Sequence, residues 1–313
     1  MIFKDARDYQ ILFLSLFLVL GIGTRDWTIR PEFILVAIAT CLATQLVMGY
    51  GSFFLAQKSW IPAFAGMTGR FAGMTGLDST NHQSGKRYNH FTDNFSVLAS
   101  LKSALITGLG LSLLLRADNY TTIAIAAFLA IASKFIFQFN HKHFFNPANF
   151  GIIAALLLTK DAWVSPGQWG EDWWYLFLFV GAGGLVLKRV GRWDTTATFL
   201  GVYALLEVGR NFWLGWTLDV LCHRLMSGSL LLFALFMITD PRSIPNARIS
   251  RIIWAVSLAI LTFVLRNYFF MSDAVFWALF TLSPLTLVLD YLWNAPRFNW
   301  WKIRHSPMGE IYS

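Results

Sequence analysis

The sequence predicts an all-α integral membrane protein with about ten transmembrane helices. Apolar residues make up 56% of the chain and charged residues only 13%, whereas a soluble domain carries roughly 25% charged residues. Ten stretches are apolar enough to cross the hydrocarbon of a bilayer, which is about 30 Å thick. Most of the 25 Lys and Arg residues fall in every second segment between these stretches, as the positive-inside rule requires.

The ten spans are expected near 9–23, 32–57, 97–115, 119–139, 144–163, 173–190, 194–209, 217–239, 251–268 and 274–293. No small-residue cleavage site follows the first span, so we interpret it as a retained helix rather than a signal peptide. The charge alternation predicts a bacterial inner-membrane protein with both termini in the cytoplasm. It also explains the net charge of +8 through inner loops facing lipid headgroups, so the bilayer is an expected partner and nucleic acid is not.

The chain divides into four predicted regions. Residues 1–57 form the first two spans, 97–293 form the main transmembrane core, and 294–313 form a cytoplasmic tail. Residues 58–96 are polar and rich in Gly, His and Asn, and they contain the hexapeptide Phe-Ala-Gly-Met-Thr-Gly twice. This composition predicts a flexible cytoplasmic insertion. The spacing of the Cys and His residues predicts no metal site and no disulfide framework.

The fifth span contains a break in its apolar pattern. Only Ile152 to Leu158 are continuously apolar, and these seven residues rise about 10 Å as a helix, too little for a crossing. The span therefore includes the preceding Asn-Pro-Ala-Asn stretch and is broken there, or it dips into the membrane and returns. The alternative is an interfacial turn in which Asn146 caps a helix. Candidate ligand-path or ion-path residues here are Asn146, Pro147, Asn149 and Gly151.

Two other polar groups lie near the ends of the eighth span. At its inner end, Thr239 and Asp240 precede Pro241, and they line a site with Asn146 or simply end the helix. At its outer end lie His223 and Arg224. An Arg in a membrane marks a cavity or a partner, for which Asp219 is one turn away, or else it snorkels to the interface, and the sequence favours snorkelling.

Several segments resemble the RnfD/NqrB family. They are Phe144-Phe-Asn-Pro-Ala-Asn-Phe-Gly151, Phe236-Met-Ile-Thr-Asp-Pro-Arg242, Ser103-Ala-Leu-Ile-Thr-Gly108, and Arg192-Trp193 with Phe199-Leu200. The resemblance covers about 97–293. It implies a membrane subunit that works with other electron-transport subunits, carries electrons through flavins and couples their flow to cation movement. It also implies a fold like that of urea transporters, with two inverted five-helix repeats, and ten spans divide evenly into such halves.

One departure from the family pattern concerns the cofactor. Family members carry a covalent FMN on a Thr in an outer Ser-Gly-Ala-Thr-Pro-Leu stretch, and residues 159–170 lack that motif. Thr195-Thr-Ala-Thr-Phe-Leu200 matches it partially but is predicted to lie on the inner side. The sequence therefore predicts no covalent FMN and leaves a non-covalent flavin open. Alternative functions are a solute or ion transporter or channel without redox activity, and a non-catalytic scaffold.

Overall fold

The computed structural model is 76% helical, as an all-α membrane protein requires. It describes residues 5–25, 30–71, 85–140, 142–165 and 173–298, and from 52 to 99 it describes the backbone alone. The helices are α1 (Ala6–Leu20, continued by a π-helical turn Gly21–Arg25), α2 (Pro31–Phe71), α3 (Gly85–Leu114), α4 (Tyr120–Ile136), α5 (Pro147–Leu158), α6 (Trp173–Val190), α7 (Trp193–Trp213), α8 (Leu218–Leu225), α9 (Gly228–Leu232, continued by a π-helical segment Phe233–Met237), α10 (Arg248–Asn267), α11 (Ala274–Leu282) and α12 (Leu285–Leu292).

Four short strands join the ends of the helices. Strand β1 (Leu115–Ala117) follows α3 and pairs antiparallel with β4 (Ala162–Val164), which follows α5. Strands β2 (Gln138–Phe139) and β3 (Lys142–His143) form a hairpin between α4 and α5. We call the side of β2 and β3 the inner side and the side of β1 and β4 the outer side, after the predicted topology. Because α3 and α5 end beside each other on the outer side, α5 does not return to the side from which its chain enters.

Every predicted span coincides with a helix or with a bent pair of helices. Among the described residues, three stretches are long and apolar enough to cross a membrane: Ala6–Gly23, Pro31–Gly51 and Arg248–Asn267. Two bent pairs reach that length when joined, α8 with α9 and α11 with α12, each with a bend of 47°. The prediction of several membrane spans is thus confirmed.

The predicted insertion at 58–96 overlaps two helices. The backbone of α2 continues to Phe71, which includes the first hexapeptide, and α3 begins at Gly85. Most of the second hexapeptide lies in 72–84, outside the described residues. The flexibility of this region stays a prediction.

Aromatic rings and small residues build the core between the helices. Phe17 of α1 stacks on Phe179 of α6 with ring centroids 4.2 Å apart. Phe233 lies 5.4 Å from Phe199 and 5.8 Å from Phe276, which links α7, the π-helical segment and α11. All these rings are at least 99% buried. Elsewhere small residues allow close contact: α5 packs on α4 so tightly at Gly151 that a Cβ there would lie 2.5 Å from Ala126 O.

Candidate functional site

The π-helical segment Phe233–Met237 is the centre of the polar network. A π-helix widens the hydrogen-bonding ring, and such segments are frequent at functional sites. Side chains from three other helices donate to its carbonyl oxygens: Gln10 of α1 to Phe236 O (3.1 Å), Thr196 of α7 to Ala234 O (2.7 Å) and Asn146 to Met237 O (3.0 Å). The segment is therefore held in place by α1, α7 and the start of α5.

The start of α5 is built by the Asn-Pro-Ala-Asn stretch. The side chain of Asn146 accepts a hydrogen bond from the backbone N–H of Asn149 (3.1 Å), and Pro147 occupies the first helical turn, where its missing N–H has no cost. Asn149 is 99% buried and donates to Phe276 O of α11 at 3.1 Å. The two Asn side chains thus cap α5 and tie it to the second half of the chain.

The start of α5 also lies deep inside the molecule. A Cβ on Gly110 of α3 would be 3.7 Å from the Cβ of Ala148, so the first turn of α5 is level with Gly110. Gly110 is roughly 15 Å along α3 from Ser100, at 1.5 Å per residue. Asn146 is therefore both a helix cap and part of a broken span, and the two interpretations left open by the sequence describe the same structure.

A cavity of about 520 Å³ lies between this helix start and the π-helical segment, and we call it the inner cavity. Asn146, Pro147, Thr239 and Asp240 line it, so the two predicted groups at inner span ends do come together. Asn149 and Gly151 lie behind its wall, where they pack α5 against α11 and α4. For these two residues, the structure gives a role in packing rather than in the lining of a path.

Asp240 and His143 face each other at the inner side of this cavity. His143 Nε2 lies 3.4 Å from Asp240 Oδ2, and the backbone N–H of Arg242 donates to the other carboxylate oxygen at 3.2 Å. Burial alone would raise the pKa of Asp240, but the hydrogen bond to His143 and the backbone N–H of Arg242 outweigh it and hold the pKa below its ordinary value. Asp240 is therefore charged at neutral pH and oriented by His143.

A second polar cluster joins the inner ends of several helices. Lys142 of β3 pairs with Asp290 of α12 at 2.6 Å and also donates to Ile244 O at 2.6 Å. Arg251 of α10 donates twice to Asp194 Oδ2 of α7, at 2.9 and 2.6 Å. These pairs fasten the loop before α5 and the loop before α10 to the rest of the inner side.

The outer end of the second half contains a buried carboxylate that the sequence did not single out as a site. Glu207 of α7 is 98% buried and accepts from Tyr203 (2.9 Å), Asn267 (2.9 Å) and Arg224 (3.1 Å). The partner of Arg224 is therefore Glu207, whereas Asp219 is exposed. Snorkelling, which the sequence favoured, is incomplete: the Arg224 side chain is 26% exposed and is anchored inward. His223 is exposed and lies outside this cluster.

Sequence reasoning also missed Gln10 and Lys134, which line the inner cavity. Both are polar residues inside otherwise apolar helices, and this was the available signal. Neither has a Pro or Gly nearby to mark a break, so nothing in the local pattern separated them from residues that face headgroups.

Comparison with known proteins gives one family. A model described as the NQR2, RnfD, RnfE family matches residues 157–299. The match includes Phe236–Arg242 and begins after Asn146, so it covers less than the expected 97–293. This finding confirms the resemblance over the second half of the chain.

Curated relatives are named as one subunit, of the RnfD type, of an ion-translocating oxidoreductase complex. The one from Halorhodospira halophila is 29% identical over 127 residues, 39% of this chain and 34% of the relative. That from Vibrio vulnificus (strain YJ016) is 34% identical over 133 residues, 41% and 36% of the two chains. That from Stutzerimonas stutzeri is 35% identical over 139 residues, 43% and 38% of the two chains. The chain thus matches little more than a third of the length of these relatives.

Proposed function

Because residues 157–299 match the NQR2, RnfD, RnfE family, we propose that this chain is a membrane subunit of an Rnf-type electron-transport complex. In this role it couples electron flow to cation movement across a bacterial inner membrane and works with other membrane subunits. The observation that carries the proposal is the agreement between the family match and the names of the relatives.

The scaffold we propose has ten crossings in two inverted five-helix repeats. Its support is that each expected span coincides with a helical unit, if the bent pairs α8–α9 and α11–α12 are each counted as one crossing. The first unit of five then ends with α5 and the second with α11–α12, and both of these contain a break at a Pro, Pro147 and Pro284. Broken helices beside a central cavity are typical of inverted-repeat transport folds.

The cofactor we propose is a flavin held without a covalent bond. The described hydroxyl groups do not fit phosphoester attachment. Thr159 at the end of α5 donates its hydroxyl to Ala155 O at 2.8 Å, and Thr195 and Thr196 of the partial motif are at least 97% buried inside the helix packing. The support for flavin is thus the family, and the support against covalent attachment is the chemistry of these three side chains.

A test of this proposal is the absorbance spectrum of the gently solubilised, purified protein. We expect flavin bands, release of the flavin into the supernatant on acid precipitation, and co-purification of redox subunits from the native host. Thr159→Val is a matched variant that should keep the flavin. A spectrum without flavin bands, together with purification free of redox partners, would contradict the proposal, and flavin that stays on the precipitated chain would overturn the non-covalent part.

The second candidate is a solute or ion transporter, and the inner cavity is the observation in its favour. It predicts flux into liposomes that contain this chain alone and a loss of that flux in Asp240→Ala, with Asp219→Ala as a control on the exposed outer surface. The names of the relatives favour the first proposal. Flux without flavin would reverse that order.

A further inference from the structure

The inner cavity is long, and its polarity changes along its length. Ser100, Gly110 and Leu114 of α3 all line it, so it follows α3 for roughly 21 Å at 1.5 Å per residue. Ser100, Ser103 and Gln138 line the inner end, whereas Leu113, Leu114 and Ala148 line the far end. This shape suits a ligand with a polar head and an elongated apolar body.

Lys134 of α4 supplies a positive charge to the polar part of this cavity. Its side chain belongs to a residue that is 93% buried, and its ammonium group donates to the Ser103 hydroxyl at 3.2 Å. In the described part of the chain, no carboxylate lies within ion-pair distance of Lys134, whereas the other buried lysine there, Lys142, pairs with Asp290. A buried ammonium without a carboxylate is costly, and an anionic ligand would compensate it.

The other charged residues that line the cavity leave this positive charge in excess. Arg7 pairs with Asp5 at 2.7 Å. Asp240 is held by His143 and by the backbone of Arg242, and the Arg242 side chain adds a further positive charge. One carboxylate therefore faces two cations besides the Arg7–Asp5 pair, and the local field favours an anion.

We propose that the inner cavity binds an acidic amphiphile from the bilayer, a molecule with one carboxylate or phosphate on an elongated hydrocarbon body. The acidic head accepts hydrogen bonds from Lys134 and from the Ser103 hydroxyl. The hydrocarbon body extends along α3 toward Leu113 and Leu114 and contacts the first turn of α5 at Ala148. The start of α5 adds to the attraction, since the first turn of a helix favours negative charge. The bilayer is the source because it supplies such molecules at both ends of every span.

This proposal does not require electron transport. Flavin content and lipid binding have separate readouts, so either one is able to fail without the other. A chain without flavin that still binds the amphiphile would contradict the proposed function alone.

The test is ligand-induced thermal stabilisation of the full chain in detergent, with oleate as the probe. We expect oleate to raise the melting temperature and oleyl alcohol to leave it unchanged, because the alcohol has the chain without the charge. Lys134→Met should bind oleate roughly tenfold more weakly, while Lys134→Arg keeps most of the affinity. Lys188→Met is the matched control, because Lys188 is exposed at the end of α6.

The remaining comparisons separate the head from the body. Acetate at the same concentration should give no stabilisation, since it has the charge without the chain. Extraction of the purified wild-type chain should release an acidic lipid in near-stoichiometric amount, and this measurement stands even if Lys134→Met fails to fold. Equal stabilisation by oleyl alcohol, full oleate affinity in Lys134→Met, or an extract without acidic lipid would overturn the proposal.

Discussion

At the scale of single residues, most charged groups inside this protein are satisfied by partners from other helices. Glu207 shows this best, because Tyr203, Asn267 and Arg224 each donate to its carboxylate. A buried carboxylate in an apolar environment is tolerated only when its oxygens are hydrogen-bonded and its charge is paired. The Glu207 cluster therefore fixes the relative positions of α7, α8 and α10 at the outer side.

The Glu207 cluster leads to a prediction about stability. Arg224→Leu leaves a buried carboxylate without its counter-charge and should lower the free energy of unfolding by about 1–3 kcal/mol. This is less than the loss expected for a fully buried pair, because water screens the partly exposed guanidinium. Thermal unfolding in detergent measures the loss. The double variant Glu207→Leu/Arg224→Leu should recover part of it, and Asp219→Asn at an exposed position should change little. If the double variant is less stable than both single ones, the cluster does not act as a unit.

The Asp240–His143 pair predicts an acid-dependent term. The folded pKa of Asp240 lies below its ordinary value of 3.8, so the stabilisation is complete above that pH and is lost as the pH falls through the lowered pKa. Asp240→Asn should therefore be less stable than the wild type near neutral pH, and the difference should shrink below about pH 4. Unfolding curves at several pH values give this difference. A gap between the two chains that stays constant down to the acid limit would contradict the assignment.

How far the sequence predicts such residues depends on whether their signal is local. Asn146 and Asp240 each stand beside a Pro in an apolar stretch, so the broken backbone pattern marks them. The pair of Glu207 and Arg224 has no such mark. The sequence offers only near neighbours, such as Asp219, as partners for Arg224, and the true partner comes from another helix.

At the scale of elements, the apolar stretches predict where helices form, and the structure adds how they bend. The π-helical segment lies within a continuously apolar run, Phe233-Ala-Leu-Phe-Met237, in which no residue type signals a change of helix type. Its position follows from tertiary contacts with Gln10, Thr196 and Asn146, which a single segment does not contain. Small residues such as Gly151 mark close contact more plainly, because they lack the side chain that would separate two helices.

Gly151 gives a prediction about helix packing. In Gly151→Ala the new Cβ would lie 2.5 Å from Ala126 O and 2.8 Å from the Cβ of Ala130, so α5 must move away from α4. We expect a loss of about 1–3 kcal/mol, typical of overpacking, measured by thermal unfolding. Gly201→Ala on the exposed face of α7 is the matched control, because nothing lies within 4 Å of its Cβ and Ala favours helix over Gly. Equal stability of the two variants would mean that α4 and α5 pack less closely.

At the scale of the whole molecule, hydrogen bonds to backbone carbonyl groups join the first five helices to the rest. Gln10, Asn146 and Asn149 of the first half donate to Phe236 O, Met237 O and Phe276 O of the second. The inner cavity lies along this junction. Sequence periodicity predicts that each half contains helices, but it carries no information on which carbonyl groups the polar side chains of one half reach in the other.

The topology is the prediction that tests the whole arrangement, because every added or lost crossing reverses the side of all later loops. The shortest unit, α5, has 12 residues and is the critical one. If its chain dipped in and returned, the segment after Thr159 would face the cytoplasm, but the pairing of β4 with β1 places that segment beside the end of α3. We therefore expect alkaline phosphatase inserted after Gly167 to be active and a fluorescent protein fused after Ser313 to fluoresce in the cytoplasm. As a control, alkaline phosphatase inserted after Arg192, in the turn between α6 and α7, should be inactive. Inactive phosphatase at Gly167 would remove one crossing and, with it, the division of the chain into two five-helix halves.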